Sequence, residues 1–108
     1  MIHERDVIRL AGVTKDHRAV VLKISGSRAF VIWGTSVHRP DIESIAVDHL
    51  SRFGKALRLT ARTYFQINHW QFVALEEVEK RKIDGHCPPE LHVDLLELAL
   101  RGMRFGLH

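Results

Sequence analysis

Residues 18 to 33, RAVVLKISGSRAFVIW, carry β-branched and aromatic side chains on both sides of a short polar break at Ser25-Gly26-Ser27. That pattern predicts a β-hairpin closed by a two-residue type II′ loop at Gly26 and Ser27. In an unbroken register Ser25 faces Arg28, Leu22 faces Val31 and Val20 faces Trp33. Val20, Leu22, Ile24, Ala29, Val31 and Trp33 then share one apolar face. The other face, with Val21, Lys23, Phe30 and Ile32, is mixed, which places the second strand centrally in a sheet.

After Pro40 the rhythm changes. Ile42, Ile45, Ala46, His49, Leu50 and Phe53 recur at helical spacing, while Glu43, Asp48 and Arg52 fall elsewhere, so a helix is expected from about 41 to 53. Pro40 suits its first turn, Asp41 complements the positive end of the dipole, and Gly54 suits a left-handed cap. Residues 56 to 67, ALRLTARTYFQI, alternate: Leu57, Leu59, Ala61, Phe65 and Ile67 against Arg58, Thr60, Arg62, Tyr64 and Gln66. This predicts a strand with one wet face. Asn68 and Gln71 have capping-box spacing and open an expected helix over 69–83, closed by Lys80, Arg81 and Lys82. Gly85 and Pro88-Pro89 break the chain before a last helix over 89–102. Its apolar surface (Leu91, Val93, Leu95, Leu96, Leu98, Ala99, Leu100, Met103) leaves only Glu90, Asp94, Glu97 and Arg101 as a polar stripe, which suits a core helix or a subunit interface.

The expected fold is therefore α+β: an antiparallel sheet of three to four strands, covered on one face by about three helices, in a single compact domain over 1–108. Residues 6 to 14, DVIRLAGVT, add a resemblance. Asp6, Val7, Leu10, Ala11, Gly12, Val13 and Thr14 are similar to the first helix, glycine-centred turn and early recognition helix of lactose-repressor-type DNA-binding domains. The resemblance spans nine residues and ends there. Arg18 stands where that pattern has a buried aliphatic, and a β-branched run replaces the third helix, so residues 6–13 are expected as a strand or short helix leading into the sheet.

Composition narrows the functional classes. Of 108 residues, 45% are hydrophobic and 27% charged, a globular balance. No apolar run reaches a membrane span and the first residues lack a secretory core, so a cytoplasmic protein without membrane association is expected. The one cysteine, Cys87, agrees with a reducing compartment. Sixteen Lys and Arg against thirteen Asp and Glu give +3, which permits a polyanionic partner, and eight histidines make the charge sensitive to mild acid.

Three functional classes remain. In the first, a non-enzymatic binding or regulatory protein contacts nucleic acid through Arg58, Arg62 and Tyr64, which pair positive charge with a stacking ring. Lys80, Arg81 and Lys82 would add phosphate contacts. The alternative reading of those arginines is pairing with Glu76, Glu77 and Glu79, and of the lysine cluster, complement to a helix dipole. In the second class, a protein-interaction or assembly module docks through the leucine-rich last helix, with Trp70 and Phe72 as further anchors. Leu91, Leu95, Leu98 and Met103 are its candidate interface, and a homodimer is expected. In the third, a small ribonuclease or toxin uses His38 as general acid or base and Arg39 on the phosphate, beside a helix N-terminus, with His17 or His69 as second proton carrier. Phosphate loops, nucleophile elbows and paired-carboxylate motifs are absent from the sequence. His86, Cys87 and His92 match no zinc spacing, so neither metal nor cofactor is expected. His49, on an apolar helical face, reads as a hydrogen-bonded core histidine.

Overall fold

The computed structural model describes residues 1–12 and 16–108. In chain order the elements are β1 (Asp6–Leu10), β2 (His17–Ser25), β3 (Arg28–Thr35), β4 (Ser44–Val47), α1 (Arg52–Ala56), β5 (Thr63–Ala74), α2 (Leu75–Glu79), β6 (Gly85–His86) and α3 (Pro89–Arg104). The strands form one sheet in the order β4-β5-β3-β2-β1-β6, antiparallel at every junction. The α+β class and antiparallel sheet agree with expectation. The sheet, however, has six strands and curls into a half-barrel rather than lying as three or four strands under helices on one face.

Both faces of the sheet are apolar. One carries Val20, Leu22, Phe30, Ile32, Phe65 and Trp70 against Leu91, Leu95, Leu98 and Ala99 of α3, with Leu57 and Phe53 from the α1 region. The other carries Ile8, Leu10, Ala19, Val21, Ala29 and Val31 against Ile2 and Val78 of α2. Helices therefore cover both faces, and α2 stands opposite α3.

The hairpin forms with Ser25 opposite Arg28 and Gly26 at φ 59, as a II′ loop requires at its first position. Its expected register then fails. Lys23 pairs with Phe30, but Val21 pairs with Val31, because Leu22 lies in a bulge. Beyond the bulge Val20 and Ile32 face α3, while Ala19 and Val21 face α2. When both faces are buried, alternation no longer separates core from solvent, and the pattern cannot locate such a slip.

The middle of the chain departs furthest. No helix spans 41–53; Ser44–Val47 is an edge strand hydrogen-bonded to β5, and the helix begins only after the Ser51 cap, whose side chain accepts from the Gly54 N–H. Gly54 lies buried inside α1 rather than past its end. The expected strand over 56–67 starts instead at Thr63: Leu57 and Leu59 are buried from a turn in which Arg58 adopts φ 58. β5 then runs to Ala74, so Asn68 and Gln71 do not cap a helix. Residues 70–74 pair with β3, which outcompetes the weaker local helical preference. α2 is five residues, and α3 runs two residues past its expected end. Residues 6–10 form β1, paired on both sides, so the first helix of the repressor-like pattern is not formed; Val13 and Thr14 of that pattern lie outside the described residues.

Gly102 fixes how closely α3 approaches β5. A Cβ there would lie 1.9 Å from the Ile67 carbonyl oxygen and 3.0 Å from Trp70. The Trp70 indole N–H donates to the Leu107 carbonyl at 2.7 Å, tying the chain end to β5. Among the described residues no helix is long and apolar enough to cross a membrane.

Candidate functional site

The start of β2, the end of β3 and the start of β5 meet at one end of the sheet. A cleft of about 110 Å³ opens there, lined by Asp16, His17, Arg18, Gly34, Ser36, Leu59, Thr60, Ala61 and Thr63. The segment from Leu59 to Ala61 forms one wall. It is held by Arg18, whose Nη2 donates to the Arg58 carbonyl at 3.0 Å. Arg18 Nε lies 3.6 Å from the carboxylate of Asp84, which already accepts from Arg9 Nε at 2.7 Å. That spacing is too long for a hydrogen bond, so Arg18 Nε is a buried N–H without a hydrogen-bond partner among the described residues. Two guanidiniums thus share one nearly buried carboxylate, and Asp16 is the acidic group on the cleft wall.

His17 bridges two environments. Its Nδ1 lies 3.0 Å from the Gly34 carbonyl, which can only accept, so the neutral ring carries its proton on Nδ1 and leaves the Nε2 lone pair free. The same ring packs on Trp33 at 4.7 Å between centroids, and His69 stacks on Trp33 at 3.5 Å and 10°. A bulge in β5 creates this stack: Ile32 pairs with Trp70 and Gly34 with Phe65, so residues 66 to 69 all stand opposite Trp33. Burial, with a smaller repulsion from His17, pushes the His69 imidazole down to about 4. His69 is accordingly neutral at physiological pH, and its Nδ1 is buried without a hydrogen-bond partner among the described residues.

Beside the cleft Tyr64 carries rings and charge together. His38 stacks on it at 4.6 Å and 18°, and the Arg62 guanidinium lies 5.7 Å from the ring centroid. Arg58 and Arg62 are exposed and hold no ion pair with a carboxylate among the described residues. Of the sequence-predicted trio, Arg62 lies beside Tyr64, whereas the Arg58 side chain lies next to Gly85 of β6; only Tyr64 stands on the strand, and Arg58 and Arg62 come from the turn before it. Arg62 also lines a groove containing Phe53, Leu91, Asp48 and Asp94.

The other candidates lie elsewhere. Lys80, Arg81 and Lys82 follow α2 and lead toward β6, the opposite sheet edge from β4, with Lys80 paired to Glu77 at 3.4 Å. They do not share a surface element with Tyr64. Arg39 forms a two-pronged exposed pair with Asp41, Nε–Oδ1 3.3 Å and Nη2–Oδ2 3.2 Å, and that hydrogen bonding holds the Asp41 carboxyl below its usual range. No helix begins at Asp41, so the anion-holding N-terminus expected beside His38 and Arg39 is not formed. His17 and His69 both pack on Trp33, whereas His38 packs on Tyr64.

Cys87 is fully buried, its thiol pushed up to about 12 mainly by burial, and His92 is committed to the Leu22 carbonyl; no group of three metal-binding side chains occurs among the described residues. His49 is half-buried, 3.4 Å from the neighbouring Asp48, on no helix. Leu91, Leu95 and Leu98 are buried against the chain's own sheet, whereas Met103 is exposed.

Arg18, Thr60, Thr63 and Trp33 escaped sequence reasoning as site residues. Arg18 and Trp33 lie within a hairpin pattern that fully explains them, and only the return of β5 brings them to a cleft. The chain matches no protein-family model, no curated protein and no solved structure.

Proposed function

We propose that this protein is a non-enzymatic binding or regulatory protein that holds single-stranded nucleic acid at this end of the sheet. The supporting observation is that the strand which carries Thr63 into a small polar cleft lined by Arg18 next carries Tyr64, on whose ring His38 stacks and near which the exposed Arg62 lies. A phosphate fits the Arg18 guanidinium, whose Nε–H is unpaired among the described residues, and the hydroxyl of Thr60, and a base fits against the aromatic pair. Lys80, Arg81 and Lys82, apart from Tyr64, contribute long-range attraction.

Fluorescence anisotropy with single-stranded RNA and DNA at about 50 and 200 mM salt tests this, since log affinity falls linearly with log salt for each phosphate neutralised. Salt-sensitive binding lost in the Arg58→Glu, Arg62→Glu double variant, with the fold intact by circular dichroism, is expected. Equal affinity in wild type and double variant would refute the reading, and shortened probes would shift it to a nuclease using His38 or His17.

A second reading, a protein-interaction module, is favoured by one observation. α3 keeps Val93, Leu100 and Met103 exposed after its core face is filled.

A further inference from the structure

α3 has two apolar faces. Leu91, Leu95, Leu98, Ala99 and Gly102 are buried against the sheet. A second row, Val93, Leu96, Leu100 and Met103, recurs at spacings of three, four and three, the rhythm of a two-helix seam. Val93 is 60% exposed, Leu100 37% and Met103 38%, while Leu96 is partly buried. Val93, Leu100 and Met103 therefore remain exposed on the outer face, with Leu96 between them touching the core.

The charges beside that row identify what covers it. Glu90, Asp94 and Glu97 occupy the first half of the flank, and Arg101 and Arg104 the second. All five fall on the same side of the apolar row at 100° per residue. Within the chain Glu90 reaches Arg52 at 3.1 Å and Arg101 reaches Glu43 at 2.9 Å, whereas Asp94, Glu97 and Arg104 hold no ion pair among the described residues. When two such helices pair antiparallel, like flanks face each other with opposite direction. The acidic half of one then meets the basic half of the other. A parallel pair instead sets the charged flank against His92 and Ala99, with no such gain.

We infer that the outer face of α3 pairs antiparallel with α3 of a second copy of this chain. Leu96 of one copy then lies opposite Leu100 of the other, Val93 opposite Met103, and Glu90 within reach of Arg104. The inference deepens the protein-interaction reading and does not depend on nucleic-acid binding. One helix seam is small beside a standard interface, so the dimer is weak and concentration-dependent.

Sedimentation equilibrium over a concentration series tests it. The wild type is expected to dimerise in the micromolar range, with Leu100→Glu at least tenfold weaker. Arg104→Glu alone weakens the dimer, and Glu90→Arg with Arg104→Glu restores it, because each reversed charge again meets its opposite. Orientation is read by oxidative crosslinking: the Val93→Cys, Met103→Cys double variant crosslinks and Val93→Cys alone does not, with buried Cys87 inert in both. A wild type that stays monomeric into the high micromolar range, or a Val93→Cys variant that crosslinks to itself, overturns the proposal. Capture of a different protein by such a monomer would preserve the broader interaction reading while still overturning self-pairing.

Discussion

The His92 imidazole of α3 lies with its Nε2 2.8 Å from the backbone carbonyl of Leu22, at the bulge where β2 loses register with β3. The carbonyl accepts, so Nε2–H donates, and the helix supplies a hydrogen bond at the point where the ladder is disrupted. His92→Phe leaves that carbonyl without its donor and should cost about 1–3 kcal/mol, with His92→Gln retaining part of the loss. Urea denaturation at pH 7 measures both. Equal stability of wild type and His92→Phe would show that the bulge does not need the helix.

Acid should destabilise the fold through His69. Its folded value is about 4 against an ordinary 6.5, so between these the unfolded chain binds more protons than the folded one. Stability associated with the neutral ring is full above pH 6.5, declines as pH falls toward 4, and changes no further from this group below that. Urea midpoints at intervals from pH 7.5 to pH 4 should therefore fall, and less steeply in His69→Phe. Parallel curves for the two proteins would exclude His69 as the cause.

Gly102→Ala tests close approach against helix preference. Alanine is favoured within a helix by about 1 kcal/mol, but its Cβ would collide with the Ile67 carbonyl. Overpacking of this kind costs about 1–3 kcal/mol, so thermal unfolding should begin lower despite the better helix former. A raised Tm would mean α3 can slide outward freely.

Tyr64→Ala should weaken single-stranded nucleic acid binding by about 1–3 kcal/mol, the loss of one stacked base, with little change in salt slope. Arg62→Gln should instead lower the salt slope by about one. Anisotropy titrations at several salt concentrations separate the two effects. Substituting Lys80, Arg81 and Lys82 together should leave the stacking contribution unchanged.

Cys87 should resist alkylation in the native protein. Full burial and a thiol raised to about 12 leave little thiolate at neutral pH, so labelling by iodoacetamide should proceed only through unfolding. Mass spectrometry across a denaturant series checks this: labelling should follow the unfolding transition, and rapid modification without denaturant would contradict the burial.

Local chemistry made several features readable from the residues alone. Gly26 marked the tight turn because its positive φ suits glycine. Pro88-Pro89 and the surplus apolar surface of Leu91 to Met103 marked α3, whose outer row remains exposed. Arg58, Arg62 and Tyr64 were legible as cations beside a ring, although a continuous strand was expected where a left-handed turn at Arg58 interrupts the chain.

What the sequence determined by itself was the α+β class, the hairpin turn, the last helix and the identity of the charged and aromatic side chains. Tertiary structure decided the sheet. Asn68 and Gln71 carry a helix-start spacing, yet their segment became strand because β3 offered partners to residues 70–74, and Ser44 to Val47 likewise surrendered helical spacing to an edge strand. Such pairing joins residues tens of positions apart, and backbone hydrogen bonds leave no periodic trace in either segment. The cleft around His17 and Arg18 depends on the same long-range return of β5, so it exists only once the sheet has closed.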